Sequence, residues 1–126
     1  MSKTFAAIAA VSLMLASSAA FAQAAKVADT PAGKAYVDAK GMTLYTFDKD
    51  SAGKSACNGP CATNWPPLMA AADAKASGDW TIVTRDDGSK MWALKGKPLY
   101  TFAKDTKPGD TTGDGFLNGA WHIAKP

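Results

Sequence analysis

The sequence has no glutamate. All eleven acidic residues are aspartate, beside one histidine and two cysteines in a chain of 126 residues. Aspartate caps turn N–H groups, so an acid complement made wholly of it suits a chain of turns more than one of helices. With one imidazole, no Gly-x-Ser-x-Gly and no singled-out pair of carboxylates, nucleophilic and acid–base catalysis have no evident carrier. Phosphate-cradling glycine loops are missing as well. The formal charge is +3, and the lysines are scattered among aspartates. Without clustered cations the sequence offers neither a nucleic-acid footprint nor a polybasic membrane patch.

The N-terminus reads as a targeting segment. Lys3, an apolar run from Phe5 to Leu15 and the small-x-small triplet Ala20-Phe21-Ala22 have the order of a secretory signal. Residues 1–22 are therefore expected to be removed between Ala22 and Gln23, placing the product in the periplasm or the medium. The run is shorter than the ~20 apolar residues of a membrane span, and no cysteine stands at the cleavage site. Neither a transmembrane segment nor a lipid anchor is expected. Roughly a hundred residues then remain, enough for one domain with a modest core.

A repeat organises that domain. Gly41-Met-Thr-Leu-Tyr-Thr-Phe-Asp-Lys-Asp50 returns 55 residues later as Gly96-Lys-Pro-Leu-Tyr-Thr-Phe-Ala-Lys-Asp105. A period of this size means one supersecondary unit used twice. Residues 23–33 read as a mobile lead-in and 34–126 as one β-domain of two repeats, about 34–79 and 80–126. Tyr36-Val37 and Met42 to Phe47 read as strands around the turn at 38–41. Met91 to Leu94 and Lys97 to Phe102 are their counterparts around Lys95-Gly96. Trp80 to Arg85 reads as a strand that turns at 86–89 into Lys90-Met91-Trp92, and Ala120 to Ala124 as the closing strand. Pro98 points to an edge or first-residue position. Residues 51–65 and 105–115 read as loop, and the Ala-rich stretch from Leu68 to Ala76 as one or two helical turns. The fold class is all-β: a small antiparallel sandwich or barrel of two tandem pseudo-repeats with long Gly/Asp/Pro loops.

Side-chain parity bears on the repeated block. Tyr45 and Phe47 share one strand face, as do Tyr100 and Phe102, with Leu44 and Thr46 on the other. Asp50 and Asp105 fall just past the strand end, where each can accept N–H bonds from the following turn. A packed aromatic followed by a turn cap is favoured over a duplicated binding site.

The two Leu-Tyr-x-Phe-x-x-Asp blocks resemble a bacterial family of exported proteins and lipoproteins, the secreted repeat of unknown function, marked by a Tyr-x4-Asp motif. Cys57-Asn-Gly-Pro-Cys61 leading to Trp65-Pro-Pro-Leu68, and the Lys107 to Gly115 stretch leading to Trp121-His122, fit the same pattern. The resemblance spans Lys34 to Pro126 and implies no particular activity. The chain departs from the lipoprotein members in lacking the cysteine that would carry a lipid.

Export favours a structural Cys57–Cys61 disulfide, and the four-residue separation across Asn-Gly-Pro lets the sulfurs meet. Thioredoxin-type and haem-attachment spacings both need two intervening residues. The sharper alternative is a soft Cu(I) site using Cys57, Cys61 and His122 with Met42, Met69 or Met91. The loop from Asp110 to Asp114 lacks the alternation of a calcium loop and reads as Asx turns. Trp65, Trp80, Trp92 and Trp121 are core fillers if buried and a ligand groove if exposed. Where the repeats diverge, Trp65, Trp121 and His122 are the candidate ligand-binding residues. The functional expectation is a non-catalytic binding or interaction module for a small molecule or protein of the cell envelope. No cofactor is expected, and the competing class is a periplasmic redox or copper accessory protein using Cys57, Cys61 and His122.

Overall fold

The computed structural model describes residues 25–126; the expected signal segment and cleavage position lie outside the described residues. Each repeat builds an antiparallel hairpin from alternating small or β-branched inward residues. In the first, β1 (Ala25–Thr30) pairs with β2 (Gly33–Asp38), and Val37 bridges back to Thr43. Ala35 and Val37 of β2 are buried while the intervening Tyr36 is half-buried. In the second repeat, β4 (Trp80–Thr84), β5 (Lys90–Leu94) and β6 (Lys97–Pro98) form the matching meander, with Met91 and Ala93 buried. The motif strand of the first repeat is β3 (Tyr45–Phe47), and the chain closes with β7 (Trp121–Ile123). The result is all-β and sandwich-like, in two repeat units, without a closed barrel.

The repeats are interleaved. Tyr45 and Tyr100 exchange both backbone hydrogen bonds, at 2.7 and 3.0 Å, which puts a local pseudo-twofold axis between the two motif copies. Across it, β3 pairs with β7, the closing strand of the other repeat. Likewise the stretch after Asn64 serves the second repeat: Pro67 bridges Tyr100 and Pro66 accepts the Thr101 N–H at 2.8 Å. Each unit therefore completes the sheet of its partner.

The core follows from this exchange. Trp65 and Trp121 stack at 3.7 Å, with ring planes 2° apart. Phe47 stacks on Trp121 and Phe102 on Trp65, both at 4.1 Å, extending the pile to four rings. Tyr45 and Tyr100 meet Trp65 and Trp121 edge-on at 5.3 and 5.1 Å. Such aromatic pairs each add about 0.5–1.5 kcal/mol beyond the area they bury. Gly113 packs against the side of the pile: a Cβ there would lie 2.6 Å from the Trp65 ring and 2.9 Å from Phe102. Leu44 and Leu99 face the other way, as parity requires, into a second cluster with Ala25 and Ala124.

Three expectations are corrected. Residues 25–30, read as part of a mobile lead-in, form β1, whose six-residue ladder with β2 overrides their small, mixed composition. The stretch from Leu68 to Ala76 is not helical. Leu68 donates to the Leu99 carbonyl and accepts from Trp92, and Met69 bridges Met91, so pairing with free strand groups outweighs alanine's helical preference. The segment read as loop before Trp65 carries a short helix, α1 (Pro60–Asn64), with proline in its first turn, where no N–H is missed.

The hairpin turns of the two repeats differ by one residue. In the first, the Asp38 N–H donates to the Met42 carbonyl and the Asp38 carboxylate caps Lys40 and Met42. In the second, Leu94 pairs directly with Lys97, leaving a two-residue turn with φ of 53° at Lys95 and 84° at Gly96. Left-handed conformation at both central positions is the turn that matches strand twist.

Candidate functional site

The motif tyrosines and aspartates form two ties, and each tie crosses between repeats. The Tyr45 hydroxyl donates to the Asp105 carboxylate at 2.6 Å, and the Tyr100 hydroxyl to Asp50 at 2.7 Å. The second oxygen of each aspartate caps the loop that follows it, accepting from Ala56 N–H in one case and from Thr112 in the other. Burial, reinforced by the Asp105 carboxylate, pushes the Tyr45 phenol well above its ordinary range. Burial does the same to Tyr100. Both phenols are therefore fixed as donors. The Asp50 carboxyl is itself raised, because burial outweighs the Ala56 N–H, the Tyr100 hydroxyl and the Arg85 charge, all of which pull it down.

What surrounds the two ties differs. Beside Tyr100, the Ser55 hydroxyl lies 2.6 Å from the phenol oxygen and accepts from Arg85 at 3.1 Å. Arg85 is only 6 % exposed. It also donates to the Cys57 carbonyl at 2.8 Å and to the Asn58 side chain at 3.2 Å. It thus holds the loop closed by the Cys57–Cys61 disulfide, which is present. Beside Tyr45 there is no such apparatus among the described residues: the phenol oxygen accepts the Gly113 N–H at 3.2 Å. Arg85 was not among the sequence candidates, although it is the sole arginine in the chain.

The other candidates separate. Trp65 and Trp121 are buried in the ring pile, so they are not a groove. Trp80 and Trp92 are the half-exposed tryptophans, and Trp80 packs against the second cluster. The proposed soft-metal set is not assembled: both sulfurs are in the disulfide, and no group of three or more His, Cys or acidic side chains comes together among the described residues. Met91 is buried and takes an Arg85 contact at 3.5 Å. The Asp110 carboxylate accepts from the Thr106 and Lys107 N–H groups and Asp114 from Ile123, which is turn capping. His122 is exposed, its Nε2 2.9 Å from the Asp48 carboxylate.

His122 and Asp48 border an open cleft of about 410 Å³. Residues that alternate with the core rings supply one wall. Thr46 and Asp48 follow Tyr45 and Phe47 out of phase, and His122 sits between the buried Trp121 and Ile123. Lys95 and Lys97 at the β5–β6 turn face them, over a floor that includes Tyr36, Leu94 and Leu99. The volume lies in the range of small-molecule sites.

A family model described as a secreted repeat of unknown function matches the chain twice, over residues 26–69 and 81–125. No curated protein and no solved structure matches it. The two matched segments coincide with the two interleaved units, so the family pattern covers the motif strands, the ties and both closing stretches.

Proposed function

We propose that this chain, which belongs to the family of secreted repeats of unknown function, is a non-catalytic binding module of the cell envelope whose site is the cleft beside His122. The observation that carries the reading is a division of labour along β3 and β7. Tyr45, Phe47 and Trp121 face the ring pile, while Thr46, Asp48 and His122, which alternate with them, line the cleft. The motif is then the scaffold, and the residues between its members are the surface offered to a ligand. The family description supports a location outside the cytoplasm. Release into the periplasm or medium by cleavage between Ala22 and Gln23 is part of the proposal, and the N-terminal mass of the exported protein checks it.

The binding reading is tested by titrating isotope-labelled mature protein with a library of small envelope metabolites and following amide shifts. The expected hit perturbs Thr46, Asp48, Lys95, Lys97 and His122 together. Shifts confined to the Cys57–Cys61 loop would replace this reading with a redox one. A stoichiometric transition metal in protein purified without a histidine tag would replace it with a metal one.

A further inference from the structure

We infer that the cleft takes an organic anion with an apolar body, and that Lys95 is kept in its strained turn position for its charge. The inference rests on the binding reading above and adds the chemistry of the ligand. Three lysines, Lys95, Lys97 and Lys125, line the cleft, and none of them is in an ion pair among the described residues. The carboxylates there are already engaged. Asp48 faces His122 at 2.9 Å, and one oxygen of Asp114 accepts the Ile123 N–H at 3.2 Å. Hydrogen bonding does not cancel their charge, but three lysines against two aspartates leave the side chains of the cleft with one excess positive charge when His122 is neutral. The apolar part of the lining is presented by the partly exposed Tyr36 and Leu94, with Leu99 and Ile123 buried behind them. A carboxylate or similar anion at the lysines and a hydrocarbon or aromatic body on that floor would satisfy both halves.

Lys95 supplies a separate argument. At φ 53° it occupies the first central position of a two-residue turn, where asparagine, aspartate or glycine is strongly preferred. A lysine side chain gains nothing from left-handed backbone and bears its steric cost. The longer turn of the first repeat avoids this, with glycine at its left-handed position, Gly41 at φ 84°. The second repeat has shortened the turn and kept the lysine on the rim of the cleft, a local conflict of the kind that accompanies function.

The test uses the mature chain and three probes: 2-naphthoate, its neutral amide, and inorganic phosphate, each followed by amide shifts. The carboxylate is expected to bind roughly tenfold more tightly than the amide, the scale set by two or three half-exposed ion pairs. That preference should shrink with added salt. Phosphate, which lacks the apolar body, should bind more weakly than the carboxylate. Lys95→Asn should melt about 2–4 °C higher, because asparagine accepts the left-handed turn, and yet have its preference for the carboxylate cut roughly two- to threefold, the share of one ion pair. Lys26→Gln, on β1 away from the cleft, should change neither. Equal binding of acid and amide would overturn the inference while leaving the cleft reading intact, and phosphate binding as tightly as naphthoate would overturn the apolar half. A Lys95→Asn protein that melts lower with its preference unchanged would show the lysine to be structural. If no probe moves the cleft amides, the binding reading falls with the inference.

Discussion

In the first loop after the motif, the Tyr100–Asp50 tie is backed by a serine, a buried arginine and a disulfide. In the second, the Tyr45–Asp105 tie is backed by one glycine N–H and a threonine. The hydrogen bond at the centre is nearly the same length in both. The difference lies in how each loop is kept in place. Residues 51–65 must be held by added interactions, whereas the 112–121 segment is held by close approach, Gly113 lying against the Trp65 ring. Duplication supplied a symmetric scaffold, and the loops then found different ways to close over it.

The largest effect tests the symmetric part. Trp65→Ala and Trp121→Ala should each cost about 3–5 kcal/mol, since each removes a ring from the middle of the same pile. That is a large fraction of the stability of a small domain. Chemical denaturation of both variants checks the equality, and a gap of more than about 2 kcal/mol between them would break the symmetric picture.

Arg85→Met tests the asymmetric part. It leaves the Cys57 carbonyl and the Asn58 side chain without the buried guanidinium and takes one donor from the Ser55 hydroxyl, which keeps the Cys57 N–H, at a cost of about 2–3 kcal/mol. Amide exchange should rise at residues 55–58 and stay unchanged at 112–114. Equal loss of protection at both loops would show that the ties communicate and that the two loops are not held independently.

A smaller effect is expected from the disulfide. Closing so short a loop is worth roughly 2 kcal/mol by the chain-entropy model. Because Arg85 also grips the loop through Cys57 and Asn58, a Cys57→Ser/Cys61→Ser double variant should stay folded, with its melting point lowered and its added exchange confined to the loop. Loss of the β3–β7 ladder in that variant would mean that the loop organises the whole domain.

The local half of this structure was legible in the sequence. The turns at 38–41 and Lys95-Gly96, the loop caps made by Asp50 and Asp105, and the Cys57–Cys61 pairing all depend on residues close in the chain. The crossed ties were not legible, because Tyr45 meeting Asp50 or Asp105 looks identical in a repeat whose two copies carry the same block. Pairing of Trp65 with Trp121 was hidden for the opposite reason. Trp65-Pro-Pro-Leu68 and Trp121-His-Ile-Ala124 are equivalent in space but share little besides the tryptophan. Arg85 did leave a signal, as the one cation in the chain that is not lysine or histidine, and a lone guanidinium at a strand end is suited to a buried, multiply donating role.

The smallest predicted effect sharpens the comparison at a single carboxyl. Asp50 is held above its ordinary value of 3.8, chiefly by burial. Just above that value the native state binds more protons here than the unfolded chain does. Its contribution is therefore fully present at low pH and is lost as pH rises through the window between the unfolded and folded values. Asp87, which is exposed, and Asp110, which is half-buried, lie below their ordinary value, held down first by bonds from Ser89 and from the Thr106 N–H. Their contributions run the other way, present above 3.8 and lost as pH falls. The two trends overlap in the wild-type profile but separate in a difference. Asp50→Asn removes the falling component alone, so the stability of wild type relative to the variant should decline as pH rises from about 3 to about 6. Denaturant midpoints across that range measure it. A difference that grows with pH would mean that the Arg85 charge outweighs burial at Asp50, making the first tie in effect an ion pair carried through Ser55 and Tyr100.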